Sequence, residues 1–303
     1  MNAVKMLSVT KDINSCRLAL GTVQFGLPYG VANKCGQVSL DVAKQMVGFA
    51  EGIGVDTLDT AIGYGESEQV LGKIGVNDLN IVSKLSPLQE LVKDVDSWVL
   101  QEVEASLKRL KIDSLYGLLL HRSSDLMDSR GTALYASIQK LKSKGYVKKI
   151  GISIYSPAEL DAFIGKFEFD LIQAPFNLID RRLCSTGWLQ RLKEHGCEVH
   201  VRSAFLQGLL LMSRSAIPAK FEQWSNIWNK WDIWLQEHDT NAVSACLAYP
   251  LSFPQIDRVI VGANNLEQLR QIATAIRNTN VYQFPNLACN EENLINPARW
   301  SGL

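Results

Sequence analysis

The chain has 303 residues, of which 31 are Lys or Arg and 31 are Asp or Glu, so its formal net charge is zero. Without excess positive charge it lacks the general attraction to phosphate backbones, which argues against nucleic acid as the main partner. Apolar residues make up 47% and charged residues 20%, an ordinary globular composition that excludes a disordered chain, a collagen and a long coiled coil.

Short apolar segments typical of strands alternate with longer segments whose apolar residues recur at helical spacing. The predicted strands are Leu18–Gly21, Val55–Asp59, Asn80–Lys84, Leu115–His121, Ile150–Ser153, Leu171–Pro175, Glu198–Arg202 and Arg258–Val261. The clearest predicted helices are Asp41–Glu51, Val92–Leu110, Leu134–Lys144, Leu189–His195 and Leu266–Ile276. In the helix predicted from Val92, the residues Val99, Val103 and Leu107 share one face, as expected of a helix packed on a core.

This alternation predicts an α/β protein, a (β/α)8 TIM barrel that forms a single domain over residues 1–303. Nearly continuous apolar runs such as residues 116–120 suit the buried strands of a parallel barrel. A doubly wound open sheet is the rival, but it requires a glycine-rich turn after an early strand. Gly63-Tyr64-Gly65 comes close to such a turn and lacks the third glycine, so the barrel is favoured.

The longest interval between predicted strands separates Arg202 from Arg258. Its four tryptophans are spaced by four, three and three residues, which places them on one face of a helix: Trp224, Trp228, Trp231 and Trp234. An extra helix packed on the barrel wall is the favoured interpretation, and a lid or a partner surface is the alternative. The segment Asn278–Leu303, with two prolines and several asparagines, is predicted to be an irregular C-terminal tail over one end of the barrel.

Four polar residues stand at or just after the carboxyl ends of neighbouring predicted strands. Asp59 ends the second strand, Tyr64 follows it in the next loop, Lys84 ends the third strand and His121 ends the fourth. The carboxyl ends of barrel strands converge on one face, where catalytic groups collect. A buried lysine is costly unless it is paired, and Asp59 on the neighbouring strand is the natural partner of Lys84.

These four residues suit the reduction of a carbonyl group. A tyrosine becomes a useful general acid when its pKa is brought down from about 10, and a nearby ammonium does so by favouring the phenolate. In this pattern Tyr64 gives the proton, Lys84 and Asp59 tune it, and His121 orients the carbonyl oxygen. Any one of the residues alone is more simply a paired polar group at a strand end; four together favour a catalytic site.

The segment Asp59–Glu68, which reads DTAIGYGESE, resembles the signature of the aldo-keto reductases, with Lys84 and His121 at the spacing of that family. The resemblance extends from Gly21-Thr22 to Gly262-Ala263 and so covers almost the whole chain. It implies a (β/α)8 barrel that binds a nicotinamide dinucleotide across its carboxyl face. It also implies hydride transfer to a carbonyl, with the four residues named above as the catalytic tetrad.

The resemblance also implies a set of cofactor contacts along the chain. The implied cofactor-binding residues are Gly21, Thr22, Asp59, Ser153, Gln173, Arg202, Ser203, Phe205, Gln207, Gly208, Gly262, Ala263, Asn264 and Gln268. Two positions depart from the family pattern. Ile154 stands where an asparagine is usual, and Arg202 stands where many members place an aromatic ring, although a planar guanidinium can stack similarly.

The segment that the resemblance matches to the binding of the adenosine phosphate, Gly262 to Gln268, differs more from the family pattern. Many members that prefer NADPH have Lys and Arg where this chain has Gly262 and Gln268, and Ile272 replaces a polar residue. We expect NADP(H) with weak discrimination, because the superfamily leans towards it, and NAD(H) stays open as the alternative cofactor.

The sequence predicts the substrate less specifically than it predicts the catalytic residues and the cofactor. The loop Gln24–Gly30, the segment Arg202–Gly208 and the terminal Asn296–Trp300 resemble a bacterial subgroup linked to sugar or surface-polysaccharide metabolism. Tyr29 and Trp300 are predicted to line the substrate mouth, where their rings could pack against a sugar. For Trp300 the alternative is an anchor of the tail on the barrel rim.

The sequence thus predicts an NAD(P)H-dependent oxidoreductase that acts on a small-molecule aldehyde or ketone. A dinucleotide-binding sensor or partner subunit on the same barrel, with little or no turnover, is the alternative. The four histidines and six cysteines show no metal-ligand spacing, so no metal is expected. The scattered cysteines and the lack of a signal peptide or a long apolar run predict a cytoplasmic protein with no membrane partner. Its oligomeric state stays open.

Overall fold

Eight strands form a closed barrel in which each strand pairs in parallel with the next and β1 pairs with β8. The computed structural model describes residues 17–33, 35–277 and 283–302. The strands are β1 Leu18–Gly21, β2 Thr57–Asp59, β3 Asn80–Leu85, β4 Leu115–Leu120, β5 Val147–Ser153, β6 Leu171–Pro175, β7 Glu198–Arg202 and β8 Arg258–Val261. The predicted (β/α)8 barrel is confirmed, and all eight predicted strands are present. The largest differences are the later start of β2 and the earlier start of β5.

Helices follow the strands and cover the outside of the barrel. They are α1 Val23–Gly26, α2 Leu40–Gly52, α3 Ser67–Ile74, α4 Val95–Leu110, α5 Gly131–Ser143, α6 Ala158–Phe163, α7 Arg182–Ser185, α8 Trp188–Glu194, α9 Ser225–Glu237, α10 Ala242–Leu251, α11 Leu266–Arg277 and α12 Glu292–Ile295. Short 3-10 helices are Ser123–Met127, Leu206–Leu211, Arg214–Ala216, Ala219–Trp224 and Pro297–Gly302. Among the residues described, each helix is too short or too polar to cross a lipid bilayer.

Helix α4 shows how local sequence sets an element and its face. The prediction began this helix at Val92, but it begins at Val95 because the Asp94 side chain accepts a hydrogen bond from the Ser97 N–H at 3.1 Å and caps the first turn. Along α4 the predicted stripe is buried, with Val99 and Val103 both at 0% exposure. The helix thus packs its apolar face on the barrel.

The tryptophans of the interval between β7 and β8 lie in the main hydrophobic core and link the interval to the C-terminal tail. All four indoles are buried, and each N–H donates a hydrogen bond: Trp224 to Glu291 Oε2, Trp228 to Phe221 O, Trp231 to Leu210 O and Trp234 to Gln283 O. Trp224 lies just before α9, and the other three lie within it. The interpretation as a helix packed on the barrel is confirmed by this burial, and these rings do not form a lid surface.

The predicted tail is described from residue 283 onward, and its segment 278–282 lies outside the described residues. It is irregular apart from α12 and the final 3-10 turn. Leu294 and Ile295 of α12 are buried, at 0% and 1% exposure, so the tail adds to the core.

Candidate active site

The alternation of side chains along the strands aims the candidate residues into the barrel mouth. Residues two apart in a strand point to the same face. Val82, Leu119 and Leu171 form a small buried cluster, and Lys84, His121 and Gln173 follow them two positions later. The apolar cluster therefore forms a floor beneath a polar layer at the carboxyl end of the barrel.

A cavity of about 650 Å³ opens at this end, and nearly all the predicted site residues line it. It brings together the whole tetrad: Asp59, Tyr64, Lys84 and His121. All fourteen predicted cofactor residues also lie on its wall, namely Gly21, Thr22, Asp59, Ser153, Gln173, Arg202, Ser203, Phe205, Gln207, Gly208, Gly262, Ala263, Asn264 and Gln268. Tyr29, predicted at the substrate mouth, lines it as well.

Lys84 and Asp59 form a buried ion pair at the base of the cavity. The Lys84 ammonium donates to Asp59 Oδ1 at 2.7 Å and to the Thr60 carbonyl at 2.8 Å. The second oxygen of Asp59 accepts a hydrogen bond from the Gln173 amide at 2.6 Å. Burial alone would lower the pKa of Lys84, but the Asp59 carboxylate and the Tyr64 hydroxyl raise it overall, so the lysine stays charged.

Tyr64 and His121 stand above this pair. The Lys84 Nζ lies 5.0 Å from the centroid of the Tyr64 ring. The rings of Tyr64 and His121 meet edge to face, with centroids 5.7 Å apart. Burial, together with the nearby Lys84 ammonium, lowers the pKa of His121 to about 4, so its imidazole is neutral at pH 7. A neutral imidazole donates a hydrogen bond from one ring nitrogen and carries no charge into the site.

The loop after β7 reaches across the cavity to the loop after β1. Its backbone is unusual, because the non-glycine residues Ser203, Leu206 and Gln207 all have positive φ, at 62°, 47° and 52°. The Gln207 amide donates to the Tyr29 hydroxyl at 2.8 Å and links the two loops. Strained backbone of this kind gathers at ligand sites, where the surrounding structure holds it in place.

Arg202, at the end of β7, is held by backbone and aromatic contacts. Its guanidinium donates to the Ile154 carbonyl at 2.9 Å and lies 4.6 Å from the centroid of the Tyr155 ring. The departure at Ile154 therefore removes a polar side chain, while its backbone oxygen still orients Arg202. The guanidinium is fixed in the cavity wall, where a flat ring could stack on it.

The part of the cavity formed after β8 is polar and neutral. The Asn264 N–H donates to the Gln268 side chain at 2.8 Å. Two side-chain oxygens in the same cavity wall, Gln24 Oε1 and Asn264 Oδ1, are buried without a hydrogen-bond partner within the described chain. Among the described lining residues the cations are Lys84 and Arg202, which belong to other strands.

Trp300 corrects one prediction. Its side chain is 5% exposed, packs edge to face on Phe221 at 4.9 Å between centroids, and donates to the Leu294 carbonyl at 3.2 Å. It is not among the described residues that line the cavity. An indole buried in the tail is unavailable to a substrate, so Trp300 anchors the tail, as the alternative interpretation had it.

Several residues that line the cavity were not predicted as site residues, and Gln24 and Tyr155 are two of them. Gln24 lies in the short helix α1 that follows β1, and Tyr155 lies two residues after β5 and is 38% exposed. A loop following a barrel strand at its carboxyl end was the available signal for both. That signal selects whole loops, and it does not select the side chain within a loop that faces the ligand.

Comparison with known proteins decides the family. The model of the Aldo/keto reductase family matches residues 17–286. The chain belongs to this family. As a member it is an enzyme, an oxidoreductase of a family that uses nicotinamide cofactors.

Two of its relatives are distant in sequence but match over nearly the whole of both chains. It is 26% identical over 286 residues to the uncharacterized oxidoreductase YqkF of Bacillus subtilis, covering 86% of this chain and 87% of that one. It is 24% identical over 303 residues to the NADH-specific methylglyoxal reductase of Escherichia coli, covering 88% and 91%. The structure of the aldo-keto reductase AKR11C1 from Bacillus halodurans superposes with a TM-score of 0.71 at 20% identity, covering 91% and 94%. This last likeness supports the fold alone.

Proposed function

We propose that this aldo-keto reductase reduces an aldehyde or ketone to an alcohol, with Tyr64 as the proton donor. The observation that carries the proposal is the buried Lys84–Asp59 pair beneath Tyr64, with His121 beside it at the mouth of one cavity. A buried ion pair costs desolvation energy and is weak evidence for stability alone. The Lys84 ammonium lies next to the Tyr64 ring, which lines an open cavity, and catalysis explains this arrangement better than stability does.

Each residue has a role in that reaction. Tyr64 transfers its hydroxyl proton to the carbonyl oxygen, and the Lys84 ammonium stabilises the phenolate that remains. Asp59 keeps Lys84 charged and in position through the 2.7 Å contact. Neutral His121 donates a hydrogen bond to the same carbonyl oxygen and orients it. When bound, the reduced nicotinamide supplies the hydride that the carbonyl carbon takes up.

The cavity residues fit a dinucleotide. Ser153 and Gln173, whose side chains lie 3.3 Å apart, offer hydrogen bonds to a carboxamide, and the Arg202 plane offers a stacking face. The unpartnered oxygens of Gln24 and Asn264 are acceptors that a bound ribose hydroxyl would satisfy. These unpaired groups fit a bound ligand better than an empty cavity.

We propose that NADP(H) and NAD(H) are discriminated weakly. A 2′-phosphate is recognised best by Arg or Lys, and the wall after β8 offers neutral amides instead. The expectation of NADP(H) therefore rests on the tendency of the superfamily, and one relative is named NADH-specific. The single domain, the cytoplasmic location and the small-molecule partner stay predictions from the sequence.

Tyr64→Phe tests the assignment of the proton donor. The change removes only the hydroxyl, so the protein should fold and bind cofactor, while kcat falls by about 10²–10⁴. Tyr146→Phe is the matched control, because the Tyr146 hydroxyl contacts Glu104 away from the cavity. Rates with a panel of aldehydes and keto sugars, with cofactor Kd from fluorescence titration, give both readouts. A Tyr64→Phe rate within about threefold of wild type would refute the role. Tight cofactor binding by the wild type without turnover of any carbonyl would favour the sensor instead.

A further inference from the structure

A second groove, of about 710 Å³, opens beside the main cavity, and the two share the side chains of His121 and Tyr155. Its walls come from the loops after β3, β4 and β5 and from α6. We call this surface the outer groove, and its apolar lining is Pro87, Met127, Ala158, Ala162 and Phe163. Its volume falls within the range of about 300–1,000 Å³ that is typical of small-molecule sites.

The outer groove is apolar and has room. Met127 and Tyr155 are 71% and 38% exposed, so both offer apolar surface to a ligand in the groove. Ala158 and Ala162 lie four residues apart on α6 and therefore share a face, where their small side chains leave space. Phe163, at 2% exposure, closes the floor.

Three polar side chains of the outer groove, those of Arg122, Ser123 and Glu159, are paired within the protein. Glu159 accepts hydrogen bonds from the Ser123 hydroxyl and from the N–H groups of Tyr155 and Ser156, the latter two at 2.8 and 2.7 Å. Arg122 donates to the Asp125 carboxylate at 2.5 Å and to the Leu88 carbonyl at 3.0 Å. A substituent rich in hydroxyl groups would lose its water here and gain few partners, which is costly.

We propose that the outer groove is the subsite for an apolar arm of the carbonyl substrate, an inference that rests on the proposed function. A carbonyl oxygen held between Tyr64 and His121 lies at the junction of cavity and groove, so one substituent of the carbonyl carbon extends past His121 into the groove. The substrate class is then an aldehyde or ketone that bears an alkyl or aryl group. This differs from the sugar suggested by the loop sequences.

Initial rates with unbranched aldehydes from propanal to heptanal test the proposal. Each methylene that enters an apolar site raises kcat/KM by about two- to fourfold, so heptanal should exceed propanal by at least about tenfold. Ala158→Trp places an indole in the groove, and Ala158 is exposed, so the larger side chain is tolerated. In this variant the ratio of heptanal to propanal should fall by about the same factor. The control Ala133→Trp, exposed on α5 outside the groove, should keep the wild-type ratio.

A binding measurement separates the groove from the reaction. Calorimetric titration with unreactive amides from propanamide to heptanamide should show Kd falling with chain length in the wild type and in Ala133→Trp, and not in Ala158→Trp. Reduction of the aldehydes without any dependence on length would overturn the groove and leave the reductase function standing. If the amides show the trend while no aldehyde is reduced, the groove stands and the reductase function fails.

Discussion

Lys84→Met is the sharpest perturbation of this site, because it should damage catalysis and stability together. Methionine has a similar length and fills the same buried space, so the change removes the ammonium with little change in packing. Two functions of the charge are lost. The phenolate of Tyr64 loses its neighbouring cation, and Asp59 loses the donor to Oδ1.

The stability cost follows from the burial of both groups. The Lys84 and Asp59 side chains are 1% and 7% exposed, so solvent does little to screen the carboxylate that remains. Removing one partner of a buried pair typically costs about 3–5 kcal/mol. Gln173 still donates to Oδ2 of Asp59, so we expect a loss of about 3 kcal/mol in the free energy of unfolding. At about 2–4 °C for each kcal/mol, Tm should fall by about 6 °C or more.

Calorimetry and steady-state kinetics measure the two effects. Lys84→Met should lower kcat at least about a hundredfold, which is the lower end of general-acid contributions. Adding Asp59→Asn to this variant removes the unpaired charge and should recover part of the lost Tm without recovering kcat. Tyr64→Phe should lower kcat alone. If Lys84→Met keeps the wild-type Tm, the carboxylate is not held by this lysine, and the electrostatic account of the site is wrong.

Two further predictions concern the proton and the cofactor. Burial and Lys84 lower the pKa of His121 to about 4, so the NMR signal that His121→Gln removes should titrate near pH 4. For the same reason, protonation of His121 should not lower kcat/KM between pH 7 and pH 5. A titration midpoint near 6.5 would contradict this prediction. Because this pKa is lowered on folding, the contribution of His121 to the free energy of unfolding is present above about pH 6.5 and is lost as the pH falls towards 4. Gln268→Arg should raise the preference for NADPH about ten- to a hundredfold in the ratio of Kd values, whereas Thr274→Arg, exposed on the same helix and outside the cavity lining, should not. A thousandfold preference for NADPH in the wild type would show that another basic residue binds the phosphate.

The strands and the tetrad were predictable because both follow from burial. A barrel strand is covered on both faces, so it must be apolar, and a charged residue at its end stands out. Lys84 after an apolar run is such a residue, and its partner had to lie on a neighbouring strand. The starts of β2 and β5 were less regular, since Lys148 and Lys149 are polar although Lys149 lies within the paired part of β5. Val55 is buried and yet lies before the paired segment.

The positions of side chains in the loops and in the tail depend on partners that are distant in the sequence, and Trp300 is the clearest example. An aromatic residue near the C-terminus is equally suited to a ligand face and to an anchor, since both bury the ring and satisfy the indole N–H. The choice depends on what stands opposite, here Phe221 and the Leu294 carbonyl. Phe221 comes from the interval between β7 and β8, and Leu294 comes from α12 of the tail itself, so the pairing depends on how the folded tail packs. Tyr155 is the opposite case, because its ring stays 38% exposed although the Arg202 guanidinium lies over it. Tyr155 stands where the outer groove meets the cavity. Because the exposed ring of Tyr155 lies beside the candidate catalytic residue His121, this is the position at which substrate specificity is best tested.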